Sequence, residues 1–290
     1  MNQTLKIKIK LHKLLLPFLH FFLPLINWVH GKAYQLESLR LNKDLFSSAE
    51  NIPEDELKQV QLKMRELCKI KKYDADFEEL WVGHSFRLIL TKNWIEQLID
   101  TKGQNLSAID LGTESIATGL WKQWFPNYSW DNTDFDLRYT WKFPDNSTDF
   151  ILCTELLEHL SDQPNAIFNE GFYKTGLQGL LKEAHRVLKP GGYFFATTPN
   201  AASMLHLQAI LEKRPPWFFD RHVREYTLDE LIFEMKKTGF QITKASDVHC
   251  MSIYSYPEYS SIFQLLLTSG YSTSGRGDDL FIVAQKPLSV

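Results

Sequence analysis

The stretch Asp149-Phe-Ile-Leu-Cys-Thr-Glu-Leu-Leu-Glu-His-Leu160 decides the fold. Its first half is a short apolar run, which predicts a buried strand. Its second half brings Glu155, Glu158 and His159 close together in sequence, and if it is helical, spacings of three and four residues place these side chains on one face. A strand followed by a helix presents side chains at the carboxyl edge of a parallel sheet, where open α/β folds bind ligands.

Strand and helix patterns alternate on both sides of this stretch. Short apolar runs predict further strands at residues 107–111, 128–133, 193–198, 240–245 and 280–284. A helical stripe over residues 177–188 ends at the turn-forming sequence Lys189-Pro-Gly-Gly192, and Thr227-Leu-Asp-Glu230 is a capping box that opens another helix. The repeated β-α units predict an α/β fold, with a doubly wound, mostly parallel sheet covered by helices on both faces.

Two segments precede the predicted sheet. Residues 1–30 join four lysines to an apolar run that Pro17 and Pro24 interrupt, and this run is shorter than the ~20 residues of a membrane-spanning helix. We interpret residues 1–30 as a packed N-terminal arm, with peripheral contact to a membrane surface as the alternative. Residues 31–105 have helical patterns and are interpreted as a helical cap. His84 and Arg87 on this cap could contact a substrate, although a lone histidine and arginine on a cap are more often structural or solvated.

Composition narrows the class of protein. The chain has 290 residues, of which 44% are hydrophobic and 23% charged, as expected for a soluble globular protein. A net charge of −3 argues against a nucleic-acid partner. The three cysteines are widely spaced, and this pattern indicates neither a disulfide framework nor a zinc site. We therefore expect a cytoplasmic protein, with membrane association through residues 1–30 as the alternative.

The order of the motifs resembles that of a known enzyme family. Asp110-Leu-Gly112 follows the first strand, an acidic residue ends the second, Glu and His follow the third, and Ala184-His-Arg-Val-Leu-Lys-Pro-Gly-Gly192 comes next. Over residues 106–245 this order is similar to the class I S-adenosylmethionine-dependent methyltransferases, and more narrowly to their type 11 branch. The resemblance implies a Rossmann-like sheet of seven strands in a catalytic domain of residues 106–290, with S-adenosylmethionine as the cofactor. The implied reaction is O-methylation of a small-molecule or glycan-like acceptor.

The resemblance also implies which residues bind the cofactor. The cofactor-binding candidates are Asp110, Gly112 and Thr113 in the first loop, Asp134 or Asp136 for the ribose hydroxyls, and Cys153 and Glu155 after the third strand. Glu114 and Ile116 stand where the family has glycines, which adds side chains where the cofactor approaches closely. This departure raises the alternative of a non-catalytic binding protein with the same fold.

The catalytic candidates are histidines. Methyl transfer from a sulfonium requires donor and acceptor in line, and in some cases a base for the acceptor; His159 and His222 are the candidates for that base. The small-RNA 3′-end 2′-O-methyltransferases have a similar Glu-x-x-Glu-His set and a later histidine that hold a divalent metal. By this likeness Glu155, Glu158, His159 and His222 would bind Mg²⁺, Mn²⁺ or Zn²⁺. A metal-dependent 2′-O-methyltransferase of RNA ends is thus the second hypothesis.

Overall fold

The computed structural model describes residues 52–99, 105–163, 175–250 and 256–288, which belong to one compact unit spanning Ala49–Val290. Residues 1–30, with the predicted arm or membrane-surface segment, lie outside the described residues. None of the helices in the described ranges is long and apolar enough to cross a membrane. The described helices are, in chain order, α1 (Glu54–Lys71), α2 (Ala75–Gly83), α3 (Ser85–Leu98), α4 (Ile116–Trp124), α5 (Thr175–Val187), α6 (Met204–Leu211), α7 (Leu228–Lys237) and α8 (Tyr256–Thr268).

The strands form one sheet in the order β2-β1-β3-β4-β6-β5. Their ranges are β1 (Leu106–Asp110), β2 (Tyr128–Asn132), β3 (Thr148–Thr154), β4 (Leu188–Pro199), β5 (Gln241–Val248) and β6 (Asp279–Gln285). Strands β1 to β4 pair in parallel, and β6 is antiparallel to both β4 and β5. The predicted doubly wound, mostly parallel sheet is confirmed.

The predicted number of strands is corrected from seven to six for the described part of the chain. Residues 133–147, which connect β2 to β3, form turns and bends without a further strand. Leu137 and Trp141 bury their side chains in the core, and the indole nitrogen of Trp141 donates to Leu137 O at 3.1 Å. This connection is therefore held against the sheet by side-chain packing rather than by strand pairing.

Apolar layers cover both faces of the sheet. Phe195 packs with α1, α3 and α4 on one face, whereas Phe194 and Ala196 pack with α5 and α7 on the other. This alternation follows from the period of two along a strand. The third helix of the predicted cap, α3, is thus part of the core beneath the sheet, since Leu88 and Ile89 have no solvent exposure.

The Lys-Pro-Gly-Gly segment is a bulge inside β4. Helix α5 ends at Val187, as the sequence predicts, but the strand starts at Leu188 rather than after the glycines. The pairing of β3 with β4 jumps from Leu188 to Tyr193, so the residues between them are looped out of the ladder. A Cβ on residue 192 would lie 2.9 Å from the carbonyl oxygens of both Asp149 and Lys189. This close approach explains why position 192 is a glycine.

Candidate functional site

The side chains of Glu155 and Glu158 lie on opposite faces of the sheet edge. Glu155 adopts a left-handed φ of 49°, and only the short 3-10 turn Leu157–His159 follows it. The hydroxyl of Thr197 donates to Glu155 at 2.9 Å, and that of Thr198 donates to Glu158 at 2.8 Å. Because successive residues of β4 face opposite sides, these bonds draw the two carboxylates apart. The condition for the three polar side chains to share one face, a helix after β3, is not met, because only the short turn Leu157–His159 is present.

A cavity of about 250 Å³ lies at the carboxyl ends of β1 and β3, beneath α2. Ligands of open α/β sheets bind at this edge. From the sheet side, its walls include the predicted cofactor residues Asp110, Thr113 and Glu155, together with Ser115. Cys153, also predicted to lie near the cofactor, is completely buried within the core on the α5 side and does not line this cavity.

The loop after β1 keeps its shape without the two missing glycines. Gly112 has a φ of 101°, which a residue with a side chain adopts only under strain. Glu114 is directed to the surface, where it pairs with Lys122 at 3.0 Å, and Ile116 is fully buried at the start of α4. Neither residue lines the cavity. The two side chains that replace glycines therefore leave the approach to the loop open.

Asp110 ends β1 as a buried carboxyl group. The hydroxyl of Thr118 donates to its Oδ2 at 2.5 Å. Burial raises the pKa of Asp110 to about 7, although hydrogen bonds from Thr118 and Asn132 and the charge of Lys122 oppose the shift. The folded protein therefore retains a proton on Asp110 at a pH where the unfolded chain has lost it.

This raised pKa predicts a pH-dependent stability. The proton on Asp110 stabilises the folded state fully below pH 3.8, and the contribution declines as the pH rises to about 7. Asp110→Asn removes a contribution that falls with pH, so its slope of unfolding free energy against pH should be more positive than that of the wild type within this window, by up to about 1.4 kcal/mol per pH unit. Urea unfolding at several pH values measures the slope. The exposed Asp131→Asn is the matched control, and equal slopes for Asp110→Asn and the wild type would contradict the expectation.

The cap contributes three polar side chains to the walls of the same cavity, from Trp81, His84 and Arg87. Nη1 of Arg87 lies 2.5 Å from Oε1 of Glu155, but within the described residues neither Nε nor Nη1 of Arg87 has a hydrogen-bond partner. Trp81 Nε1 and His84 Nδ1 are also buried without a partner in this part of the chain. All three residues contribute to the cavity walls, while these nitrogen atoms themselves are buried.

The two candidates for ribose binding differ in the hydrogen bonds that their carboxylates already make within the protein. Asp134 follows β2 with its side chain 81% exposed, and Lys142 Nζ is 3.4 Å away. Asp136 instead receives bonds from both the guanidinium and the backbone N–H of Arg138, at 2.7 and 3.0 Å. The carboxylate of Asp134 is therefore the more available of the two.

The histidine cluster unites three of the four predicted metal ligands. One ligand atom each from Glu158, His159 and His222 lies within 4.8 Å of the others, and the two imidazole rings are 4.9 Å apart. Burial raises the pKa of Glu158 to about 8, while burial and the adjacent His222 lower the pKa of His159. Glu155 lies outside this group, because it is engaged by Arg87 and Thr197.

Comparison with known proteins identifies the class that this fold and site define. The model of the Methyltransf_23 family, a methyltransferase domain, matches residues 85–245, more than half of the 290 residues. The chain belongs to this family. It is a class I S-adenosylmethionine-dependent methyltransferase, so the predicted class, cofactor and enzymatic nature are confirmed. No curated protein sequence matches the chain.

Solved structures with a similar fold include three S-adenosylmethionine-dependent methyltransferases. The chain from Archaeoglobus fulgidus is 16% identical with a TM-score of 0.45, and the match covers 73% of this chain and 100% of that one. The chain from Mesorhizobium loti is 15% identical with a TM-score of 0.42, covering 68% and 99%. The chain from Methanosarcina mazei is 15% identical with a TM-score of 0.42, covering 68% and 98%.

The sequence did not assign Arg87 and Trp81 to the site. A spacing of three residues from Trp81 to His84 and again to Arg87 is visible in the chain. This spacing would place the three side chains on one side of a helix. The helix is interrupted at His84, where α2 ends and α3 begins. Only the folded structure therefore shows that the three residues line one cavity.

Proposed function

We propose that the protein transfers the methyl group of S-adenosylmethionine to an oxygen of a small-molecule or glycan-like acceptor. The observation that carries the proposal is that two imidazoles, His159 and His222, lie at the same sheet edge as the cavity beneath α2. With its pKa lowered, His159 is neutral at physiological pH. A neutral imidazole can accept the proton that a hydroxyl acceptor loses during transfer.

The cavity suits the amino-acid end of the cofactor. When bound, S-adenosylmethionine supplies an electrophilic methyl group on its sulfonium. Arg87 and Glu155 present opposite charges 2.5 Å apart, which complement the carboxylate and ammonium of an amino acid. The cavity, at about 250 Å³, is smaller than the roughly 300 Å³ at which ligand pockets begin. We therefore place the nucleoside of the cofactor outside the cavity, on the side of Asp134.

Asp134→Ala tests this placement. Loss of a carboxylate that accepts bonds from the ribose hydroxyls removes charge-assisted hydrogen bonds worth about 1.5–3 kcal/mol each. We expect the Kd of S-adenosylhomocysteine to rise at least tenfold, measured by titration calorimetry. Asp136→Ala is the matched control and should leave Kd unchanged, because Asp136 is bound to Arg138. A rise in Kd for the control alone would transfer the ribose role to Asp136.

Transfer itself is tested with labelled S-adenosylmethionine and a panel of hydroxylated small molecules and oligosaccharides. We expect label in a product with a methyl ether, and no transfer by the double variant His159→Gln/His222→Gln. Labelling of nitrogen or carbon, with hydroxyl acceptors inert, would overturn the O-methylation part of the proposal. No binding of cofactor or product would overturn all of it.

A second candidate is metal-assisted 2′-O-methylation of an RNA end. The cluster of Glu158, His159 and His222 favours it, because a carboxylate and two imidazoles within 4.8 Å form a ligand set for Mn²⁺ or Zn²⁺. The Oε1 atom of Glu158 has no hydrogen-bond partner in the described ranges. A cation there would favour the ionised carboxylate, which the metal-free environment disfavours.

Calorimetry with Mn²⁺ decides between the two candidates. The metal hypothesis predicts binding that falls at least tenfold in Glu158→Gln, since one of three ligands is lost, and transfer that stops in excess chelator. His185→Gln, which changes a histidine of α5 outside the cluster, is the control and should bind as the wild type does. Full transfer activity in chelator would eliminate the metal-dependent candidate.

A further inference from the structure

A chain of buried polar side chains lies behind His222. Oε1 of Glu225 accepts from His222 Nδ1 at 2.5 Å and from the backbone N–H of Phe218 at 2.7 Å. Oε2 of Glu225 contacts His206 Nε2, and Nδ1 of His206 is 2.6 Å from the hydroxyl of Ser203. The chain joins α6 to the loop before α7, and its outer end is an imidazole of the histidine cluster.

The side chains of this hydrogen-bonded series are almost completely buried. The side chains of Glu225, His206 and His222 are 2%, 3% and 6% exposed. The two oxygens of Glu225 are approached by the backbone N–H of Phe218 and by one nitrogen of each imidazole. Because the Phe218 N–H can only donate, Oε1 is an accepting oxygen, and Glu225 is held in the interior as a carboxylate by the donors around it.

The charge of Glu225 fixes the direction of each hydrogen bond. An ionised carboxylate only accepts, so His222 Nδ1 and His206 Nε2 must both carry hydrogen. In the neutral forms of the rings, the other nitrogens are then bare. Nδ1 of His206 accepts from the Ser203 hydroxyl, and Nε2 of His222 remains as the nitrogen available to the cluster with Glu158 and His159.

The position of His222 is set separately from its tautomer. The backbone N–H groups of Val223 and Arg224 donate to Glu158 O at 2.8 and 3.2 Å, and Ala201 N donates to Tyr226 O at 2.9 Å. These backbone bonds dock the loop on the residue that shares the cluster with His222. Loss of the Glu225 carboxylate would thus leave the loop attached, while removing the group that selects the tautomer.

We propose that Glu225, supported by His206, is a positioning residue that holds His222 as the Nδ1–H tautomer with a bare Nε2. Which ring nitrogen is bare decides whether an imidazole can take a proton or bind a cation at a given place. The catalytic consequence rests on the proposed function, in which His222 acts on the acceptor. The assignment of the His222 tautomer does not rest on the proposed function, so it can be tested without measuring methyl transfer.

Imidazole ¹⁵N NMR of the full-length protein in excess chelator is the decisive measurement. The His222 signals are assigned by their disappearance in His222→Gln. We expect the wild type to show protonated Nδ1 and bare Nε2. Glu225→Leu should give a mixture of tautomers, because leucine offers no acceptor to either imidazole. A wild-type ring protonated on Nε2, or an unchanged ring in Glu225→Leu, would overturn the proposal.

His206→Gln is a variant that keeps a hydrogen-bond donor next to Glu225. Its amide N–H can still donate to Glu225, so the His222 tautomer should remain that of the wild type, and a mixture would contradict the support assigned to His206. Glu230→Gln removes a neighbouring carboxylate that pairs with Arg224 and is the control for a general effect of charge. It should leave the His222 signals unchanged, and the same tautomer mixture in this control would overturn the specific role of Glu225.

Kinetics link the tautomer to the reaction. With an acceptor in hand, Glu225→Leu should lower kcat at least tenfold while the KM for S-adenosylmethionine stays within twofold. An unchanged kcat with an altered tautomer would overturn the positioning role. If the wild type transfers no methyl group to any acceptor but shows the expected tautomer, the proposed function fails and the structural assignment of Glu225 stands.

Discussion

Arg87→Met should raise the Kd of S-adenosylhomocysteine by about 100-fold or more, which corresponds to about 2.7 kcal/mol. Arg87 is 3% exposed, lines the cavity and pairs with Glu155 at 2.5 Å. A carboxylate bound there would receive charge-assisted bonds from a rigid guanidinium. Methionine fills the space but donates nothing. Titration calorimetry measures the change directly.

The substitution also leaves Glu155 without its cation, and removing one partner of a buried pair costs about 3–5 kcal/mol of stability. The double variant Arg87→Met/Glu155→Gln removes both charges and separates folding from binding. It should recover thermal stability relative to the single variant, while binding remains weak. Arg65→Met, on the exposed side of α1, removes a surface ion pair with Glu78 and should leave Kd unchanged. Wild-type affinity in a folded Arg87→Met protein would contradict the role of Arg87.

Gly179→Ala should destabilise the protein by about 1–3 kcal/mol, the usual cost of overpacking. This outcome reverses the usual rule, since alanine in a helix is ordinarily more stable than glycine by roughly 0.5–1 kcal/mol. A Cβ at position 179 would lie 2.3 Å from the carbonyl oxygen of Arg138. That oxygen belongs to the backbone of the connection between β2 and β3, so relief requires the whole segment to move.

Urea unfolding of three proteins tests this close approach. The matched control is Gly83→Ala, at the end of α2, where a Cβ would meet nothing within 4 Å. We expect the control to be neutral or slightly stabilised, because it reduces the freedom of the unfolded chain without a clash. Equal unfolding free energies for the two variants would show that α5 does not pack as closely on residue 138 as the structure indicates.

Much of the fold can be predicted from local patterns. The strands and the α5 and α7 helices lie close to their predicted positions, because apolar periodicity reports which face is buried. The helix predicted after β3 fails for a non-local reason. Glu155 and Glu158 are captured by Thr197 and Thr198, which lie 42 and 40 residues further along the chain. Tertiary hydrogen bonds of this kind leave no periodic signal in the sequence.

The candidate site could also be predicted only in part from the sequence. Asp110 and Thr113 could be placed at the cavity from the order of motifs, and the structure brings His159 and His222 together as the histidine hypothesis requires. Glu225 and His206 could not be foreseen, because their contact depends on how α6 and the loop before α7 fold onto each other. The spacing of His222 and Glu225 by three residues is common in proteins and has little meaning before that contact is known.

The pairing of Arg87 with Glu155 has a consequence for attempts to dissect or recombine this enzyme. Arg87 is on α3, and Glu155 follows β3 at the sheet edge. A truncation that starts at β1 would remove the cation and leave the Glu155 carboxylate beside an opened apolar sheet face with Phe150, Phe195 and Phe281, which α3 otherwise covers. A chimera that takes its first helices from a relative would need to bring an arginine at the position of Arg87. A transplantable unit therefore begins upstream of the first strand, at α1, because α2 forms a wall of the cavity and α1 packs on the same face of the sheet.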